Sequence, residues 1–188
     1  MSSDRLSSTI LVKEHETILK VIDALDRKIE EFREGNLIDV GFLRSLLEFS
    51  RVFIDKCHHG KEELCLFPCL ERRGIPRENG PIGVMLMEHE MGRSLVRQIN
   101  ERLDSYVSRH SKTDFERILN LCSEYIELLR QHIYKENNIL FPMGDGVIDE
   151  DDERRNIECY EKREHELGEE THHRMEQLAE KLKQEAKQ

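Results

Sequence analysis

Apolar residues recur at three- and four-residue spacing along most of the chain, and no stretch alternates apolar with polar as a half-buried strand would. Turn formers divide this pattern into five predicted helices. The first covers about residues 8–33 and stops at Glu34-Gly35-Asn36, where Gly and Asn favour a left-handed cap. Asp39 is the expected N-cap of the second, which runs through Leu46, Leu47, Phe53 and Ile54 towards Pro68. Gly74-Ile75-Pro76 and Gly80-Pro81 precede the third, at about 81–107. Thr113 and Glu116 have capping-box spacing ahead of the fourth, which ends before Pro142, Gly144 and Gly146. A fifth, very charged helix is expected from Asp149 to the C-terminus, with a thin apolar stripe of Ile157, Tyr160, Leu167, Met175, Leu178 and Leu182. Short turns between long helices force antiparallel neighbours. The expected fold is therefore all-α: an up-down-up-down four-helix bundle over residues 1–148, with an additional C-terminal helix over 149–188 that packs on the bundle or on a partner subunit.

An internal repeat lies inside this pattern. His58 to Pro68 reads HHGKEELCLFP and His132 to Pro142 reads HIYKENNILFP, matching at six of eleven positions without a gap. His58 and Glu62 thus fall on His132 and Glu136, 74 residues later. The same interval carries Glu14-His15-Glu16 onto Glu88-His89-Glu90. Two helical hairpins in one register imply a duplication. Each brings a histidine from its first helix and His-x-x-x-Glu from its second.

Residues i and i+4 lie on one helix face about 6 Å apart, so each His-x-x-x-Glu can turn both groups to one metal region. The midpoints between successive histidines all fall in predicted turns, near residues 36, 73 and 110, so the four imidazoles should share one layer of the bundle. A lone His-x-x-x-Glu is ordinarily a solvated pair. Four histidines and two glutamates sharing one layer would be costly to bury without a metal. His15, His58, Glu62, His89, His132 and Glu136 are the candidate metal ligands. His59 and Glu63 are further candidates, for the metal or for an outer role, although neighbouring residues on an α-helix point about 100° apart.

Composition narrows the function. A net charge of −10 argues against nucleic acid and anionic membranes as partners. Nothing near the N-terminus resembles a signal peptide and no apolar run approaches membrane-spanning length, which makes the expected location cytoplasmic. In that setting Cys57, Cys65, Cys69, Cys122 and Cys159 read as reduced thiols; Cys65 and Cys69, one turn apart, are the pair best spaced for redox or metal chemistry. A second histidine cluster on the fifth helix, His165, Glu169, His172 and His173, reads as solvated: on a straight helix the last two lie about 18 Å or more beyond the metal layer, where Tyr160 is expected instead.

The segments KEHETI, CHHGKEELCLFP, GIPRENGPIGVMLMEHEMGR and HIYKENNILFP, in this order over about residues 8–143, resemble the hemerythrin-like (HHE cation-binding) family. The resemblance implies a non-haem di-iron centre, with Glu62 and Glu136 bridging and His15, His58, His89 and His132 as terminal ligands. One departure is clear. Oxygen-carrying hemerythrins have a further histidine one turn after the third-helix ligand, and Arg93 stands there in this chain. Fewer protein ligands leave more open positions, which leans away from simple oxygen carriage. The donors also suit manganese or zinc, although carboxylate-bridged pairs in bundles favour two iron ions. The reading is a metal-binding protein that binds or senses oxygen, nitric oxide or iron, with a di-iron redox enzyme (peroxide decomposition or iron–sulfur cluster repair) as the alternative. Small diatomic molecules or peroxide are the expected partners, a homodimer through the C-terminal helix is a further expectation, and no catalytic residue is assigned.

Overall fold

A computed structural model describes residues 6–168 and 170–187. Six helices follow one another: α1 (Ser7–Gly35), α2 (Val40–Phe49), α3 (Pro81–Arg109), α4 (Lys112–Lys135), α5 (Glu150–Leu167) and α6 (Thr171–Glu185). The second and fourth continue past these bounds. α2 runs on through π-helical turns at Ser50–His59 and Glu62–Leu66 into Phe67–Arg72, and α4 through a π turn at Glu136–Leu140 into Phe141–Asp145. The turns at Glu62–Leu66 and Glu136–Leu140 are 74 residues apart, so the repeat extends to backbone geometry.

Caps set the helix ends. Asp39 accepts the Phe42 N–H at 2.9 Å, as expected. The cap of α4 differs from the expectation: Ser111, not Thr113, accepts from the backbone of Asp114. Asn36 and His110 end α1 and α3 in the left-handed conformation. At α5, Asp149 and Asp152 form a capping box, and both also pair with Arg73 at the end of the second helix.

Along α1 the buried stripe runs Leu11, Glu14, His15, Ile18, Val21, Ile22 and Leu25, so the imidazole occupies a core position of the helical repeat. His89 lies likewise between Met85 and Val96, and His132 beside Leu129 and Ile133. The result is two apolar cores with a polar layer between them. The larger contains Ile22, Phe49, Ile99, Leu103 and Leu121; the smaller is built on Leu11, Phe67, Leu70, Ile82, Phe141 and Tyr160.

The C-terminal segment is helical but not straight. Gly168, at φ 103°, breaks it into two helices. α5 puts Tyr160 into the smaller core, and α6 turns back so that Met175, Ala179 and Leu182 complete the larger one. The cysteines also differ from the expectation of reduced thiols: Cys65 is disulfide-bonded to Cys159, 94 residues away. Their Cα atoms lie 5.9 Å apart because α5 docks beside the second helix. Cys57, Cys69 and Cys122 are free and buried. Among the described residues no helix is long and apolar enough to cross a membrane.

Candidate metal centre

All six predicted ligands converge in the polar layer, none more than 2% exposed. They form two groups that share one carboxylate. His15, His58, Glu62 and Glu136 make the first; Glu62, His59, His89 and His132 make the second. Glu62 spans the two, with one oxygen 3.4 Å from His58 Nε2 and the other 3.4 Å from His89 Nε2. Glu136 also faces both, 3.2 Å from His15 Nε2 and 3.3 Å from His132 Nε2. These four contacts exchange in pairs under the 74-residue repeat, so the layer has a pseudo-twofold axis.

The outer partners obey the same symmetry. His58 Nδ1 donates to Glu14 at 2.9 Å and His132 Nδ1 to Glu88 at 3.0 Å. Lys61 and Lys135 neutralise those two carboxylates. His15 Nδ1 donates to Asn137 at 2.7 Å, and His89 Nδ1 to Glu63 at 2.6 Å. Each Nδ1 proton is thereby fixed and each Nε2 lone pair is aimed inward, which is how metal-binding histidines are oriented. Glu63 is therefore an outer partner. Sequence reasoning quoted Glu14 and Glu88 within the repeat but gave them no task; the shared offset was the signal that could have found them.

Electrostatics of the layer fit a cation. Neither oxygen of Glu62 or of Glu136 has a hydrogen-bond partner, nor do His15 Nε2 and His58 Nε2. The Nε2 atoms of His89 and His132 face each other at 3.2 Å; with both Nδ1 protons engaged elsewhere, only a proton or a metal ion reconciles the two lone pairs. Burial pushes His132 down, yet the Glu136 carboxylate beside it and the hydrogen bond to Glu88 carry it up to about 10. Burial would raise Glu136, but His132 and His15 hold it well below the carboxylate range. Buried carboxylates and imidazoles with this many unused lone pairs fit a pair of cations.

His59 is 4% exposed and stacks on the His89 ring, with centroids 3.7 Å apart. Burial and the neighbouring imidazoles hold it well below the usual histidine range, so the ring is neutral and able to ligate. The 100° separation assumed an α-helix. In the π-helical turn Ser50–His59 more residues share each turn, the angle between successive side chains closes, and His58 and His59 both face the interior. Asp55, Glu90 and Glu63 hold Arg93 at 2.6–2.7 Å, and Glu63 is the outer partner of His89.

One histidine of the C-terminal cluster departs from the solvated expectation. His172 Nε2 lies 3.2 Å from Glu14, the outer partner of His58, because the bend at Gly168 folds α6 back over the bundle. A straight helix would have carried it away. His173 is solvated as expected, at 74% side-chain exposure, while Glu169 lies outside the described residues. Burial raises Glu14, but hydrogen bonds from His172 and His58, with Lys61 close by, outweigh this and keep it ionised.

The family model for the hemerythrin HHE cation binding domain matches residues 6–144. The chain belongs to that family. Among curated relatives of this hemerythrin-like chain is an iron-sulfur cluster repair protein YtfE from Edwardsiella ictaluri, 30% identical over 77% of this chain and 67% of the relative. Proteins of the same name from Enterobacter sp. and Salmonella schwarzengrund are 35% and 37% identical, each over 45% of this chain and 39% of the relative. The hemerythrin-like chain thus spans between about two-fifths and two-thirds of the length of the relatives it matches. In hemerythrin-family terms, the matched region contains all seven histidines and glutamates of the two groups and ends before α5.

Proposed function

We propose that the polar layer holds a di-iron centre through which the protein binds or senses oxygen, nitric oxide or iron. The observation that carries this reading is the sharing of Glu62, whose two oxygens face two separate histidine groups. In the proposal Glu62 and Glu136 bridge, His15 and His58 serve one ion, and His89, His132 and His59 serve the other. Imidazole with carboxylate suits iron, and also manganese or zinc; membership of the hemerythrin family favours iron. Bound iron would supply redox chemistry and exchangeable positions. The chain's own residues aim the imidazoles through Glu14, Asn137, Glu63 and Glu88, neutralise the outer carboxylates through Lys61 and Lys135, and exclude bulk water with the two apolar cores.

A second reading, iron donation or repair of iron–sulfur clusters, is supported by the printed names of the relatives. Binding is put first because the sharing of Glu62 between the two histidine groups supports a metal pair and not a particular reaction. Metal analysis of purified, iron-reconstituted protein should give two ions per chain; one ion, with no second site on titration, would overturn the paired centre. Anaerobic reduction followed by oxygen, and separately by peroxide, separates the functions. We expect oxidation without a stable oxygen adduct. An adduct reversed by removing oxygen would indicate a carrier, and sustained peroxide turnover an enzyme.

A further inference from the structure

The two histidine groups are not equally accessible. A cavity of about 300 Å³ opens between the second helix, α3 and α4, and His59, His89 and His132 form part of its lining. His15 and His58 do not line it. On their side the Phe141 ring stacks on His15, at 5.6 Å between centroids, and belongs with Leu11 and Tyr160 to the smaller core.

The lining changes in character from floor to rim. At the floor the three imidazoles are buried, and Nδ1 of His59 has no hydrogen-bond partner. The apolar part of the walls is Ile54, Val96, Leu128 and Leu129, with Tyr125 and Gly92; the half-buried Asp55, Glu88 and Arg93 make up a polar part. At the rim the exposed residues are Arg51, Arg97 and Glu101. Gly92 keeps one wall open. A Cβ there would meet Leu128 and Tyr125 at an ordinary 3.8 Å, so the missing side chain reflects space left in the cavity and not a close approach of helices.

Size and chemistry together select a ligand class. A diatomic molecule or peroxide would fill a small part of this space, since a single water takes up about 30 Å³. Apolar walls hold water poorly, and they bury the body of an organic molecule well. At the floor, a hard oxygen donor suits iron. The charged side chains of the lining balance, Arg51, Arg93 and Arg97 against Asp55, Glu88 and Glu101, so the choice of an anionic head rests on the metal position at the floor. We infer that the cavity binds a small organic carboxylate of up to about ten heavy atoms, its head at the His59/His89/His132 metal position and its apolar body against Ile54, Val96 and Leu129. This rests on the two-metal reading above and specifies which ion meets the ligand.

The test uses iron-loaded protein and three probes: phenylacetate, acetate as the head without the body, and benzyl alcohol as the body without the head. Titration calorimetry should give phenylacetate at least tenfold tighter binding than either of the others. In Gly92→Leu the new side chain enters the cavity from a helix that tolerates leucine; phenylacetate should lose at least tenfold in affinity, with acetate binding and metal content unchanged. Methyl NMR of the wild-type chain loaded with diamagnetic zinc provides a check free of the variant, because phenylacetate should shift Ile54, Val96 and Leu129. A full metal complement with no preference for phenylacetate over acetate, or no shifts at those methyls, would overturn the cavity assignment alone. A metal count below two would instead overturn the paired centre, and this inference with it.

Discussion

Each imidazole of the polar layer depends on a carboxylate or amide behind it, and those partners are not all alike. Asn137 stands behind His15 where Glu63 stands behind His89, so the repeat leaves one charged and one neutral outer partner. In the proposed centre a bridging carboxylate would contact both ions, whereas an outer one acts on a single imidazole. Glu62→Gln and Glu136→Gln should therefore lower metal stoichiometry to a similar extent, measured by metal analysis after dialysis. Glu63→Gln should keep both ions and weaken affinity about 10–100-fold against a competing chelator. If Glu63→Gln loses metal as Glu62→Gln does, the bridging face has been misassigned. The thiols allow a second expectation at this scale. Burial pushes Cys57 and Cys122 up to about 12, so both stay protonated at neutral pH. Iodoacetamide at pH 8 should leave them unmodified in the folded protein and label them after denaturation, with Cys65 and Cys159 recovered as one linked peptide. Rapid native labelling of Cys122 would contradict its burial.

At the scale of elements, α6 is a structural member of the bundle and not an appendage. Met175, Ala179 and Leu182 pack into the larger core, while every ligand of the proposed centre precedes Pro142. Leu182→Ala should cost about 2–5 kcal/mol in urea denaturation, because a fully buried leucine is removed from a closely packed site. Metal content should not change. A loss below about 0.5 kcal/mol would mean that α6 is undocked in solution, since surface substitutions have effects of that size. Removing the chain from Asp149 onward would expose this core, together with the one around Tyr160, while leaving the donor set whole. Loss of metal from a folded truncation would assign a ligand to α5 or α6.

For the whole molecule, the polar layer between two apolar cores is a liability unless cations fill it. Glu62 and Glu136 are fully buried with no hydrogen-bond partner on either oxygen, and such groups are costly without compensation. Metal binding and folding should therefore be strongly linked. At free metal about 1,000-fold above Kd, the linkage adds about 4 kcal/mol. For a chain of this size that corresponds to roughly 10 °C in melting temperature. Differential scanning fluorimetry with and without chelator measures it, and an unchanged melting temperature would argue against a metal in the layer.

Helix order, the bundle topology and the convergence of the six candidate ligands could be read from the chain because they rest on local quantities. Periodicity sets each helix face, and a constant interval of 74 residues places His15, His58, His89 and His132 at one level. Asp39 and Asn36 act within a few residues of themselves, and their roles were equally legible. The remaining features depended on geometry that spacing does not encode. His59 faces the layer only because the second helix adopts π-helical turns, which α-helical angles cannot anticipate. His172 reaches Glu14, and Cys159 reaches Cys65, only once α5 docks and the chain bends at Gly168. The cavity beneath Gly92 exists through the packing of three helices, none of which contains it alone. Contacts between distant segments are decided by how apolar faces pack, and a one-dimensional pattern states which faces are apolar without stating which will meet.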